Sequence, residues 1–193
     1  MESKNLSGVK EGHWKILSSE YLNKHTYFTA RKDKCVTTEG KIIEQYYVVE
    51  LNLTVCALGV TDDNQVILIK QYRHPIEKII LEIPGGFVDA NEDPVKAIAR
   101  EFSEETGYEF SNFEYVGQVA ANPGVINNYT KLYLATGGKK KARQKLDDNE
   151  EIEVLLISLD ELKEMLLQNK FDQALHTSCI FYALMKLGKL NCS

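Results

Sequence analysis

The chain contains the stretch Gly86-Phe-Val-Asp-Ala-Asn-Glu92, followed after seven residues by Arg100-Glu-Phe-Ser-Glu-Glu-Thr-Gly-Tyr108. This region is the most informative part of the sequence for the fold. Between the two halves, Asp93 is a favourable N-cap and Pro94 suits the first helical position. Gly107 favours the left-handed conformation that ends a helix. The pattern therefore predicts a glycine-containing loop and then a helix that begins near Pro94 and ends just before Gly107.

The predicted helix carries three glutamates, Glu101, Glu104 and Glu105, within two turns. Like charges three and four residues apart on a helix repel each other. A divalent cation would relieve that repulsion, and ligands that are all oxygen favour Mg²⁺ or Mn²⁺. The alternative is an ordinary amphipathic helix with a solvated acidic face. In either case the helical periodicity places the glutamates on an exposed face and predicts a core face of Val95, Ile98, Ala99, Phe102 and Thr106.

These residues resemble the complete Nudix box. Its pattern is Gly, five residues, Glu, seven residues, then Arg-Glu-hydrophobic-any-Glu-Glu-any-Gly-hydrophobic. The chain supplies Gly86, Glu92, Arg100, Glu101, Phe102, Glu104, Glu105, Gly107 and Tyr108. Both hydrophobic positions are aromatic where aliphatic residues are more usual, and this departure concerns packing alone.

The resemblance continues outside the box and points to the ADP-ribose pyrophosphatase and nucleoside-diphosphate-sugar hydrolase branch. The segments that carry it are Gln71–Pro75, Leu81–Gly86, the pair Pro123-Gly124, and the acidic stretch Asp147–Ile152. Trp14 and the strand-like run Tyr46–Glu50 in the N-terminal section are also similar.

Composition agrees with a globular enzyme. The chain has 193 residues, is 44% hydrophobic and carries a net charge of -5. A nucleic-acid-binding surface would usually be basic, so the charge argues against such a partner. We expect the four cysteines to be reduced, no membrane span, and a cytoplasmic location, because the N-terminus carries no apolar targeting stretch.

Strand and helix signals predict two parts, an N-terminal β section over 1–50 and a hydrolase domain over 51–193. Strand candidates in the first part are too few to bury a core alone. The resemblance implies that this small antiparallel section forms a homodimer by swapping.

In the second part, strands flank the box helix, a capping box at Ser158 and Glu161 opens a helix through Leu167, and a last helix covers about 173–187. The expected fold class is α+β, an α/β/α sandwich with a mixed sheet. Gly137–Lys145 is expected to form a basic loop, either solvated or acting as a lid.

The resemblance also implies chemistry and roles. It implies Mg²⁺-dependent hydrolysis of a nucleotide sugar, with Glu101 and Glu105 as the main metal ligands, Glu104 in support, and the Gly85 carbonyl as a further contact. Glu92 and Arg100 are expected to form an architectural ion pair. In the acidic stretch, Glu150 is the first choice for a late metal ligand. Asp148 aligns best with the general base, although the family has a glutamate there, and Glu151 is the nearby alternative. Arg73 would bind phosphate, since its guanidinium fits two oxygens, or would be a surface arginine. Candidate contacts to the rest of the substrate are Trp14, Tyr27, Phe28 and Pro123.

Three functions follow as alternatives. The first is cleavage of ADP-ribose to AMP and ribose 5-phosphate, with GDP-mannose or another nucleotide sugar as the runner-up substrate. The second is a sensor that binds a nucleotide sugar without cutting it, although the chain keeps every carboxylate of the box. The third is RNA decapping, against which the acidic net charge weighs.

Overall fold

The computed structural model describes residues 12–25, 28–147 and 150–190. The chain divides into two compact units, Met1–Leu51 with Asn122–Asn128, and Asn52–Ala121 with Tyr129–Ser193. The segment 122–128 therefore groups with the N-terminal unit, although it lies far from that unit in sequence.

The N-terminal unit is an antiparallel sheet of three strands in the order β1-β2-β3. The strands are β1 (Lys15–Asn23), β2 (Thr29–Val36) and β3 (Ile42–Glu50). Segment 122–128 attaches to β3, because the Val49 N–H donates to the Val125 carbonyl at 2.8 Å and the Asn127 N–H donates to the Val49 carbonyl at 3.1 Å. Ion pairs such as Lys32–Glu20, with a distance of 2.9 Å, connect neighbouring strands of the sheet.

The second unit is built on a mixed sheet of eight strands with the path β11-β5-β4-β10-β8, to which β6, β7 and β9 add at β5, β4 and β10. Strands β4 and β10 are parallel, and the other pairs are antiparallel. The strands are β4 (Thr54–Thr61), β5 (Gln65–Arg73), β6 (Lys78–Glu82), β7 (Gly85–Phe87), β8 (Tyr108–Glu109), β9 (Asn112–Val119), β10 (Thr130–Lys140) and β11 (Ile152–Ser158).

Three helices cover this sheet: α1 (Pro94–Thr106), α2 (Leu159–Leu167) and α3 (Ala174–Lys186). Successive residues of β4 alternate between two cores, as the strand period requires. Val55 and Ala57 belong to the core that contains Phe102 of α1. Cys56 and Leu58 belong to the core that contains α2 and α3 residues, which include Leu162, Ile180 and Leu184. This layering of helix, sheet and helices confirms the predicted sandwich.

Several sequence predictions hold in detail. Asp93 caps α1 by accepting from the Val95 and Lys96 N–H groups, and Gly107 has φ 70°. Ser158 and Glu161 form the predicted capping box. Cys35, Cys56 and Cys179 are free thiols, and Cys192 lies outside the described residues.

Two predictions about α1 and the segment after β10 are wrong. Val95 is 38% exposed, and Ala97 takes its place in the core, so the buried face of α1 is rotated from the predicted one. The predicted loop over 137–145 begins as strand instead, because β10 continues to Lys140 by pairing with β8.

Among the described residues, no helix is long and apolar enough to cross a membrane. The cytoplasmic location stays a prediction.

Candidate active site

The glycine loop lies directly against the sheet. Strand β7 pairs with β4 so that Gly85 is opposite Cys56 and Gly86 is opposite Val55. A Cβ atom on Gly85 would overlap the Val55 carbonyl, and one on Gly86 would overlap the Glu101 carboxylate. Close approach of the backbone therefore requires glycine at position 85, whereas a side chain at position 86 would displace the Glu101 carboxylate. The backbone of this segment lies beside the acidic face of α1.

Arg100 joins the loop to the helix. Its Nε and Nη2 atoms each lie 3.1 Å from an oxygen of Glu92, and Nη2 also donates to the Phe87 carbonyl at 3.1 Å. This confirms the geometry of the predicted ion pair. Nη1 donates to Glu101 at 2.9 Å and to Glu104 at 3.1 Å, so one guanidinium partly neutralises three carboxylates. The hydrogen bond from Arg100 is the main reason that the pKa of Glu92 is lowered.

Glu105 is buried, with only 4% of its surface exposed, which corrects the prediction of an exposed face. The cause is β7, whose Gly85 N–H donates to Glu105 at 3.2 Å. Burial raises the pKa of Glu105 well above its ordinary value, and the charges of Glu101 and Glu150 raise it further. Burial is also the largest cause of the raised pKa of Glu101, which Arg100 opposes.

The acidic segment after β10 contributes one of its predicted residues to this cluster. Glu150 is partly buried, accepts from the Asp147 N–H at 3.1 Å, and raises the pKa of both Glu101 and Glu105. Glu151 is exposed. Asp148 lies outside the described residues, and its role as a base stays a prediction.

The cluster suits a divalent cation that shares its coordination with substrate. Among the described residues, no group of three or more His, Cys, Asp or Glu side chains is arranged to hold a metal by itself. Mg²⁺ is typically held by one or two carboxylates together with substrate phosphates and water. Glu101 is partly buried and Glu105 is buried, and burial is the largest cause of the raised pKa of each, with like charge adding to it. The donor type and the electrostatics therefore fit that ion. The contact predicted for the Gly85 carbonyl stays a prediction.

Arg73 is held by a carboxylate that the sequence analysis missed. Its Nη2 lies 2.7 Å and its Nε 3.0 Å from Oε2 of Glu82, whose side chain is fully buried. The charge of Arg73 also lowers the pKa of Glu105, which places the guanidinium within the field of the cluster. Nδ1 of His176 lies 3.8 Å from Oε1 of Glu82. A glutamate inside the apolar run Leu81-Glu82-Ile83 is the signal that could have identified this pair.

In the N-terminal unit, a cleft of about 250 Å³ brings together Trp14 and Pro123. The rings of Trp14 and Tyr46 meet edge to face at 6.1 Å on its wall. Arg31 and the buried Asp33 also line the cleft, and their side chains are paired at 3.0 Å. Phe28 is 52% exposed and lies outside this lining, while Tyr27 lies outside the described residues.

Comparison with known families matches residues 50–177 to the NUDIX domain. The chain belongs to the NUDIX family. Residues 14–49 match a second family, the nucleoside diphosphate sugar hydrolase N-terminal domain. NUDIX hydrolases generally use divalent cations, in agreement with the acidic cluster on α1.

Relatives of this NUDIX chain include two proteins of Bacillus species. The methanol dehydrogenase activator of Bacillus methanolicus is 38% identical over 108 residues, which cover 55% of this chain and 58% of that protein. The ADP-ribose pyrophosphatase of Bacillus subtilis is 29% identical over 133 residues, which cover 68% of this chain and 72% of that protein. The match thus spans less than two thirds of the first relative. The crystal structure of an ADP compounds hydrolase superposes with a TM-score of 0.79 at 20% identity, covering 92% of this chain and 97% of that one, and it supports the fold.

Proposed function

We propose that this protein hydrolyses the pyrophosphate bond of a nucleoside diphosphate sugar with Mg²⁺, and that ADP-ribose is cleaved to AMP and ribose 5-phosphate. The observation that carries the proposal is the pair of the partly buried Glu101 and the buried Glu105 on α1, whose pKa values burial raises beside a glycine loop. Two carboxylates that are withdrawn from water can both stay ionised at neutral pH without a large loss of folding stability when a cation binds between them. The match to a nucleoside diphosphate sugar hydrolase N-terminal domain, and relatives named ADP-ribose or ADP-sugar pyrophosphatase, support this substrate class.

The residues of the cluster have separate roles in this proposal. Glu101 and Glu105 hold the cation, with Glu104 in support and the Gly85 carbonyl as a further ligand. When bound, the cation neutralises charge on the phosphates and lowers the pKa of the attacking water. Arg73 keeps a fixed guanidinium near the cluster because Glu82 holds it, and this charge orients a phosphate group. Mn²⁺ would serve the same oxygen donors.

The proton of the attacking water goes to the acidic segment after β10. Among the described residues of this segment, Glu150 is the one whose charge acts on both Glu101 and Glu105, which supports a role as a late ligand to the cation. Asp148 and Glu151 are the two alternatives for the general base. A carboxylate within reach of the water can accept that proton.

The N-terminal unit supplies the nucleobase contact and a dimer interface in this proposal. Trp14, with Pro123 beside it, offers the flat apolar wall that a base would stack on, and Phe28 is an exposed aromatic residue of the same unit. Ile16, Leu22 and Tyr47 are at least 52% exposed on β1 and β3, and a second copy of the chain would cover such side chains.

A substrate panel tests the proposal. The full chain is incubated with Mg²⁺ and ADP-ribose, GDP-mannose, diadenosine polyphosphates or NADH, and the products are separated by chromatography. We expect the highest kcat/KM for ADP-ribose. Faster cleavage of GDP-mannose would show that GDP-mannose is the preferred substrate and would leave the proposed metal-dependent mechanism unchanged. Binding of these compounds without cleavage of any would overturn the enzymatic proposal and support a sensor.

A further inference from the structure

The last turn of α1 is held by a segment that follows β10. The final carbonyls of a helix lack partners within it and need donors from elsewhere. Here the Glu104 carbonyl accepts from the Lys145 N–H at 2.8 Å, and the Gly107 carbonyl accepts from the Lys141 N–H at 2.9 Å. Lys140 Nζ donates to the Thr106 carbonyl at 2.5 Å.

Gln144 supplies the donor for the remaining carbonyl of this turn and also reaches a second strand. Its Nε2 atom donates to the Glu105 carbonyl at 2.7 Å and to the Ile152 carbonyl at 3.0 Å. A primary amide has two N–H donors, so both bonds can form at once. One side chain therefore connects the backbone of Glu105 to the first residue of β11.

The two anchored positions flank the acidic cluster. The Glu105 side chain lies in the cluster, and Ile152 follows two residues after Glu150, whose charge raises the pKa of Glu105. Packing near this bridge leaves little room for displacement, because a Cβ atom on Gly107 would overlap the Ala142 carbonyl.

We propose that Gln144 is a positioning residue, which fixes the distance between Glu105 and Glu150 through backbone bonds at both ends. It does not need to touch substrate or cation to act. The effect on turnover rests on the proposed pyrophosphatase function, but the positioning itself does not.

The test compares three variants of the full chain. Gln144→Met keeps the length and removes both donors, whereas Gln144→Lys keeps a donor of similar reach. Arg143→Met is the matched control, because Arg143 is exposed and its side chain makes no hydrogen bond or ion pair with the described residues. Amide hydrogen exchange at Lys145 and Glu150 is measured by NMR alongside kcat and KM for ADP-ribose.

We expect Gln144→Met to speed amide exchange at both positions and to lower kcat by about tenfold to a hundredfold with little change in KM, as a displaced catalytic group would. Gln144→Lys should recover part of both effects, and Arg143→Met should resemble the wild type. Unchanged exchange at Glu150 in Gln144→Met would overturn the proposal whatever the activity. Faster exchange with unchanged kcat would overturn the link to catalysis. A wild type that cleaves no nucleotide sugar would refute the proposed function. The exchange measurements would still show whether Gln144 positions Glu150 relative to Glu105.

Discussion

Glu105 lies where burial and like charge act in the same direction. It is 4% exposed, accepts one hydrogen bond from the Gly85 N–H, and lies within the fields of Glu101 and Glu150. Its raised pKa means that the ionised side chain destabilises the folded protein above the ordinary value of 4.5. The charge of such a residue lowers the stability of the folded protein and is kept for function. Removing that charge should therefore reduce activity without reducing stability.

Glu105→Gln should therefore retain or raise the melting temperature at neutral pH while turnover falls by at least about a hundredfold. The amide keeps an oxygen for the Gly85 N–H and loses the charge. Glu109→Gln is the matched control, because Glu109 is exposed just beyond the same helix. Circular dichroism and steady-state kinetics measure both quantities. A melting temperature that drops together with activity would instead make Glu105 a structural residue.

His176 gives a prediction for acid pH. Burial, with help from the charge of Arg73, lowers its pKa from 6.5 to about 3, so the folded protein holds it neutral. Between pH 6.5 and pH 3 the unfolded chain binds the proton and the folded protein does not, so the free energy of unfolding decreases as pH falls.

We expect His176→Asn to reduce the pH dependence of the free energy of unfolding in this window by about 1.4 kcal/mol per pH unit. Urea denaturation at several pH values between 7 and 4 measures the slope. Equal slopes for wild type and variant would show that His176 titrates normally in the folded protein.

At the scale of elements, local signals in the sequence placed α1 well. Its two ends are marked by Asp93 and Pro94 at the first turn and by Gly107 at the last. Each of these residues acts only on its own turn, so it can be recognised without knowledge of the rest of the fold. Strands β7 and β8 were missed because their short segments are defined by pairing with β4 and β10. Pairing with β8 also explains why the start of the predicted basic loop, 137–140, belongs to strand β10.

Gly107 and Gly188 form a pair of helix ends that differ in one respect. Both have positive φ, 70° and 67°, but a Cβ atom would overlap the Ala142 carbonyl at Gly107 and meet nothing within 4 Å at Gly188. Gly188→Ala should cost about 1 kcal/mol of unfolding free energy, from the backbone conformation alone. Gly107→Ala should cost clearly more, because the segment 140–145 must also move. Equal losses in chemical denaturation would mean that this segment yields freely.

For the whole molecule, the sequence predicted the layers and the acidic cluster but not the partners of Arg73. The box motif fixes spacing along one loop and helix, so Glu101 and Glu105 were identified directly. The charged Glu82 within an apolar run is a local sign of a buried charge partner. Its meeting with Arg73 and His176, however, depends on strand pairing and on the packing of α3, which no local pattern specifies. The burial of Glu105 was missed for the same reason.

The proposed homodimer is a prediction at this scale. The full chain should sediment at twice its mass of 21.9 kDa. Leu22→Lys on β1 should weaken the dimer by at least about tenfold in Kd, because burying a leucine contributes about 1.5–3 kcal/mol. Leu167→Lys is the control, an equally apolar residue that is 65% exposed on α2. A wild type that is monomeric at all concentrations in analytical ultracentrifugation would reject the dimer.

The proposal that the carboxylates of α1 serve pyrophosphate cleavage is tested by analysis of the products formed from ADP-ribose. Wild type and Glu105→Gln are incubated with ADP-ribose and Mg²⁺, with and without EDTA, and the nucleotide and sugar phosphate products are quantified by chromatography. We expect equal amounts of AMP and ribose 5-phosphate from the wild type, none with EDTA, and a product rate in Glu105→Gln that is at least about a hundredfold lower. Product formation at the same rate in the variant, or in EDTA, would contradict the account.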